Sequence, residues 1–153
     1  EKMSVADYLT LYRAVGAPWL WSGRLTLSEA ELDKELAAPA SERWVVRKDG
    51  AAIGLAELYF DNDECELVYF GLVSEATGLG LGGRMMALAQ AQAFARPIKR
   101  FYVQPCNYDD PRALGFYQKV GFKPYKAAVQ IYPDPRATGA LPKSTAPHIP
   151  CLT

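Results

Sequence analysis

Between residues 77 and 84 the chain reads Thr77-Gly78-Leu79-Gly80-Leu81-Gly82-Gly83-Arg84, with four glycines in six positions. Bare glycines let backbone N–H groups approach a ligand closely, and the apolar periodicity that starts at Leu81 sets this run at the head of a helix. Free amides and the helix dipole there favour an anion such as phosphate. The bland alternative is a tight strand-to-helix connection with no ligand. Gly78, Gly80 and Gly83 also satisfy G-x-G-x-x-G. A dinucleotide fold wants that motif after the first strand of a βαβ unit, with an acidic residue about 20 positions on. Here it follows antiparallel strands, and the next strand ends at Gln104. A Walker A loop is excluded because the segment has no Gly-Lys-Ser/Thr.

Other chemistries are narrowed by what the 153 residues hold. His148 is the single histidine, which disfavours a histidine-based triad or a multi-histidine metal site, so no metal is expected. Cys65, Cys106 and Cys151 are odd in number and widely spaced, fitting neither a disulfide framework nor paired zinc ligands, and they point to a reducing cytoplasm. Cys106 reads as structural, since nothing near it in sequence would activate a thiolate. Seventeen basic and seventeen acidic residues cancel, leaving no field to hold nucleic acid or an anionic membrane. The chain lacks a run of about 18 apolar residues or a signal-peptide pattern.

The elements that must position the glycine turn follow from periodicity and turn chemistry. Helices are predicted over 4–15, with Ser4 as N-cap, and over 29–37, where Ser28 and Glu31 form a capping box. Strands at 44–46 and 53–60 flank Asp49-Gly50, a hairpin signal, and a third strand covers 65–72. Met85, Leu88, Ala91 and Ala95 continue the long helix from Leu81 to about Arg96-Pro97. A strand at 101–103 follows, then a helix over 111–119 capped by Asp110, then a weaker closing strand at 127–132. The five prolines of 133–153 forbid a long helix or a central strand, so that segment is expected to wrap the surface. The predicted fold is α+β: a mixed, mainly antiparallel central sheet flanked by helices, with residues 1–132 as a single domain and 133–153 as a tail. The chain begins Glu1-Lys2-Met3, so its natural N-terminus is read as trimmed or replaced, with a first strand missing from view.

The strand, glycine turn and helix resemble motif A of the GNAT superfamily, Q/R-x-x-G-x-G/A, which binds the pyrophosphate of acetyl-CoA; residues 77–82 align with it. Ala113, Phe116, Tyr117, Gly121 and Phe122 resemble the second signature, A-x-x-F-Y-x-x-x-G-F, and the likeness spans roughly 42–126. The stretch around Tyr69-Phe70-Gly71-Leu72 is similar to a bacterial branch of that superfamily. Two positions depart from the pattern. Thr77 stands where Gln or Arg is usual, leaving one phosphate contact to backbone or to Arg84. Asp110 stands where many members carry a cofactor-touching asparagine.

The resemblance implies an N-acetyltransferase that passes an acetyl group from acetyl-CoA to a primary amine in a ternary complex. The alternatives are a non-catalytic acyl-CoA-binding or sensor module and, less well supported, a nucleotide-binding oxidoreductase domain. It implies Glu66 as general base and Tyr117 as the acid that protonates the thiolate. It also implies backbone amides near Phe70, Gly71 and Leu72 as partners of the carbonyl and pantetheine, with Thr77 through Arg84 (Gly78, Leu79, Gly80, Leu81, Gly82 and Gly83 between them) and Asp110 completing the cofactor site. Glu66 shares a face with Val68 and Phe70 if the pleat is regular, a parity that a bulge would change. Each role has a plain rival: Glu66 as a solvated edge carboxylate, Tyr117 as a packed aromatic. Glu57 is read as a carboxylate for the substrate ammonium or for a proton relay, or else as an outward-facing strand residue. Trp19 and Trp21 are read as acceptor-site or core aromatics. With Glu57, Asp61 and Glu66 nearby, the expected acceptor is a small amine or an exposed protein amine, and a homodimer through the tail or a sheet edge is compatible.

Overall fold

The computed structural model describes residues 3–151. Helix α1 is Val5–Gly16, started by Ser4, whose hydroxyl accepts from the Asp7 N–H, and it buries Tyr8, Leu11, Tyr12 and Val15. A 3₁₀ turn, Ala17–Trp19, leads through a loop to α2, Glu29–Ala37, where both halves of the Ser28/Glu31 capping box are formed. The strands are β1 Ser41–Lys48, β2 Ala51–Asp61 and β3 Glu64–Leu72. Asp49 and Gly50 both adopt positive φ, as a two-residue hairpin turn requires. Helix α3 is Leu81–Ala93, β4 is Arg100–Val103 and α4 is Ala113–Lys119.

Among the described residues the sheet has four strands in the order β1-β2-β3-β4, antiparallel except for the parallel β3/β4 pair. Each face carries its own core. Leu58, Cys65, Leu67, Met86, Ala89 and Tyr117 pack on the side of α3 and α4; Tyr8, Leu11, Tyr12, Leu32 and Leu55 pack on the side of α1 and α2. Burying each such side chain contributes roughly 1.5–3 kcal/mol.

Three expectations are corrected. Residues 127–132 form no strand: Val129 and Ile131 are 90 % and 94 % exposed, and a strand exists only with a ladder partner, which this segment lacks among the described residues. Helix α4 begins at Ala113 rather than at 111, because the Asp110 carboxylate and carbonyl close a turn onto Arg112 and Ala113 instead of capping the helix. The pleat of β3 is not regular. Leu67 pairs with Leu58 and Tyr69 with Glu57, so Val68 is an extra residue in a bulge. The bulge carries Phe70 onto the α3/α4 face with Cys65 and Leu67, while Tyr69 joins the α1 core. Glu66 therefore shares its face with Tyr69, not with Phe70.

The segment 133–151 folds back on the molecule. Leu141, Ala146 and Ile149 bury against Leu20, with Tyr108 alongside. Buried Arg136 organises it by donating to the carbonyls of Thr145, Ala146, Ile149 and Pro150 while paired with Asp134.

Candidate active site

The bulge opens a cleft. Strands β3 and β4 pair only from Glu64/Arg100 to Leu67/Val103, whereas β3 runs on to Leu72. Beyond Leu67 the β4-facing edge of β3, from Val68 to Leu72, has no partner in that ladder, leaving backbone groups of Phe70, Gly71 and Leu72 for a ligand. The glycine turn lies at the far end of this edge and α4 stands across it. Phe116 and Tyr117 stack and tilt against Phe70 at centroid distances of 5.9 and 6.5 Å.

The glycine turn meets the geometric demands of an anion cradle. Gly78 and Gly80 have φ of 78° and 73°, and Gly80 stands at the N-cap of α3 in the left-handed region, so no side chain caps the helix. A Cβ added at Gly78, Gly80 or Gly83 would meet nothing within 4 Å, so the turn is open where a ligand would approach. No acidic residue lies in the first turn of α3, and Leu79 and Arg84 are exposed beside it. The free N–H groups of this helix end and its dipole fit a phosphate-bearing cofactor. The Thr77 hydroxyl is committed to the Ser74 carbonyl at 2.8 Å, so Thr77 offers its backbone rather than its side chain. The Asp110 carboxylate is held by Arg112 at 2.9 and 2.6 Å, and that guanidinium lowers its pKa.

The two carboxylates singled out on β2 and β3 have different surroundings. Glu66 accepts from the Tyr102 hydroxyl at 3.2 Å and from the Gln104 amide at 2.6 Å, both at the β4 end beside the cleft. The Tyr102 phenol is pushed up to about 12, by burial first and then by Glu66, so it stays a donor. Glu57 is 1 % exposed, with one oxygen bonded to Arg24 and the other accepting from the Tyr8 hydroxyl at 2.9 Å. Arg24 also pairs with Glu35 and lies 5.4 Å from the Tyr69 ring centroid. Both Glu57 oxygens are thus engaged inside the α1 core.

Tyr117 is buried among Phe70, Phe116 and Phe122. Burial, and then the nearby Asp109 carboxylate, push its phenol well above the usual range. Trp21 packs against Tyr69 at 4.9 Å and Tyr12 at 5.6 Å and lies over Gly71, where a Cβ would come within 2.6 Å of Val15 and 3.6 Å of the indole. Trp19 instead meets His148 of the tail, edge-on at 5.7 Å. Cys106 is exposed, but its thiol is shifted upward, chiefly by desolvation, which keeps it protonated.

The structure adds residues that sequence reasoning passed over. Gln104 and Tyr102 reach Glu66 only because β4 lies in parallel register beside β3, and Arg24 reaches Glu57 across 33 positions. Asp109, on the loop after β4, accepts the Cys106 N–H at 2.8 Å, and its charge helps raise the pKa of the buried Tyr117 phenol. None of these has a local motif.

A mixed sheet whose parallel pair ends short of β3, beside an open glycine turn and with an aromatic helix facing the gap, is suited to an extended, phosphate-bearing ligand. The sequence profile of the acetyltransferase (GNAT) family matches residues 9–122, and the chain belongs to that family. Among curated proteins nothing matches. Solved structures share the fold. An aminoglycoside acetyltransferase from an uncultured soil metagenomic sample, in complex with sisomicin, has a TM-score of 0.67 at 15% identity, over 83% of this chain and 87% of that one. The aminoglycoside N-acetyltransferase AAC(6')-Iy in complex with CoA has a TM-score of 0.63 at 15% identity, over 84% and 87%. A GNAT family acetyltransferase from Elizabethkingia anophelis with acetyl-CoA bound has a TM-score of 0.55 at 22% identity, over 65% of this chain and 63% of that one. Among the described residues no helix is long and apolar enough to cross a membrane, and no group of three or more His, Cys, Asp or Glu side chains could hold a metal ion.

Proposed function

We propose that this protein transfers an acetyl group from acetyl-CoA to a primary amine, small or on a protein surface, by direct attack in a ternary complex. The observation that carries this reading is the edge of β3 unpaired with β4 from Val68 to Leu72, between Glu66 and an open, uncapped glycine turn. Acetyl-CoA, when bound, supplies an acyl group activated as a thioester. The backbone N–H groups from Thr77 through Arg84 hold its pyrophosphate, and Phe70, Gly71 and Leu72 pair with its pantetheine arm. Asp110, neutralised by Arg112, keeps the start of α4 from repelling those phosphates.

Glu66 takes the proton of the acceptor ammonium, directly or across one water, and Tyr102 and Gln104 hold its carboxylate in one orientation. Tyr117, kept protonated by burial, gives its phenolic proton as the thiol leaves. Trp21, braced on Gly71, walls the acceptor side, with Trp19 further out against the tail. Glu57 serves the acceptor side indirectly: through Arg24 and Tyr8 it fixes the loop that carries Trp21.

Calorimetric titration with acetyl-CoA, with free coenzyme A and NAD as comparators, tests the reading. Saturable acetyl-CoA binding without NAD binding is the expected result, followed by thiol release with primary amines. No acetyl-CoA binding overturns it.

A further inference from the structure

Helix α1 covers only part of the sheet face it packs on. Alternation along β2 turns Leu55, Glu57 and Tyr59 to that face, and the cover ends between the last two. Glu57 is 1 % exposed, with Tyr8 of α1 bonded to it, whereas Tyr59 is 46 % exposed. Tyr59 is the cross-strand partner of Glu66 on β3, and Glu66 is the partner of Tyr102 on β4. Directly opposed residues of an antiparallel pair hold their Cβ atoms about 5 Å apart, which sets the Tyr59 ring beside the Glu66 carboxylate. The Tyr102 hydroxyl reaches the same carboxylate from the other side at 3.2 Å. Tyr59, Glu66 and Tyr102 thus form one row across three strands, with the anion in the middle.

The members of this row have different employment. Tyr102 and Gln104 spend their donors on holding Glu66, and both are neutral. In the next row Glu64 faces Arg100 and pairs with it at 2.9 Å, so that carboxylate is matched by a cation within the fold. Tyr59 instead presents an exposed aromatic face next to an anion held by neutral donors. That pairing is the chemistry that recognises an organic ammonium, by cation–π attraction added to a charge-assisted hydrogen bond.

We propose that Tyr59 is a specificity-determining residue of the acceptor site: the acceptor enters over the sheet face that α1 leaves uncovered, and its protonated ammonium seats between the Glu66 carboxylate and the Tyr59 ring. The site selects an organic cation over a neutral molecule of the same shape. The identity of that cation as the acceptor rests on the proposed acetyl transfer; its binding does not. Acetylation removes the charge, so a neutral amide product loses both attractions and leaves.

The experiment titrates the protein, without any acetyl donor, with n-butylamine and with its neutral counterpart 1-butanol. The readout is the side-chain amide of Gln104, which donates to Glu66, followed in a ¹⁵N correlation spectrum and assigned through Gln104→Leu. At neutral pH the amine is expected to shift that resonance saturably, and the alcohol to bind roughly tenfold more weakly or less, since it has no charge to offer Glu66. Tyr59→Ile keeps a strand former on β2 and should weaken amine binding about threefold, while Tyr59→Phe, which keeps the ring, should bind like the natural chain. Equal responses to amine and alcohol in the natural chain, or amine affinity unchanged in Tyr59→Ile, overturn the proposal. Acetyl-CoA binding is measured separately by calorimetry: amine binding without it leaves the subsite standing and overturns the acetyl-transfer reading, and the reverse pattern overturns the subsite alone.

Discussion

Glu57 and Glu66 are strand carboxylates on β2 and β3, one inside the α1 core and one where the β3/β4 pairing ends, and the protein surrounds them in opposite ways. Glu57 has Arg24 on one oxygen and the Tyr8 hydroxyl on the other, and Arg24 is shared with Glu35 and the Tyr69 ring. Glu66 is held by two neutral donors, the Tyr102 hydroxyl and the Gln104 amide. The first arrangement is closed, with charge matched by charge inside the fold. The second orients its carboxylate with neutral donors at the edge of the sheet. A sequence position therefore says little about a carboxylate's use. What decides it is whether the fold supplies the counter-ion.

The comparison can be broken most forcefully at Arg24. Arg24→Met leaves Glu57 buried without its cation and should destabilise the protein by about 3–5 kcal/mol, read as a lower urea midpoint at unchanged slope. Arg24→Met combined with Glu57→Leu should recover most of that loss, because the uncompensated charge goes too; a double variant as unstable as the single one would refute the closed-pair account. At the open end the expected effects are on turnover. Glu66→Gln should lower kcat at neutral pH on the order of 100-fold with acetyl-CoA affinity unchanged, checked by thiol release and calorimetry. An unchanged rate removes Glu66 as base.

Gly80→Ala forces a side chain into the left-handed region at the head of α3 and should cost about 1–2 kcal/mol, together with weaker acetyl-CoA binding, since the amides it carries would tilt. The smallest effect has the opposite sign. Burial, and then Asp110, raise the carboxyl pKa of Asp109 in the folded state, so its ionised form opposes folding. Stability from this group is fully present at low pH, where Asp109 is protonated, and falls as pH rises through the carboxylate range. Asp109→Asn should therefore be slightly more stable than the natural chain at pH 7, with the advantage vanishing at acid pH, as thermal melts at both would show.

The glycine turn, the helix it opens, the Asp49-Gly50 hairpin and the Ser28/Glu31 capping box were legible because each is a local device: its residue types and its geometry lie within a few positions. Tyr117 was singled out only through the resemblance of Ala113, Phe116, Gly121 and Phe122 to the family's second signature, and its role as acid belongs to the proposed function. The bulge at Val68 was not, because β3 reads as an even run of strand formers and only pairing with β2 shows the extra residue. The strand expected at 127–132 failed for the related reason that alternation states a preference for a sheet without supplying a neighbour.

By itself the sequence determined the order of helices and strands as far as the short helix after β4, and the open glycine turn, since these depend on residue type and short-range backbone geometry. Tertiary structure alone decided which carboxylate is closed off by Arg24 and which is oriented by Tyr102 and Gln104. Those outcomes join residues 33 to 49 positions apart, and the burial and counter-ions that set a charge's behaviour exist only once the chain has folded.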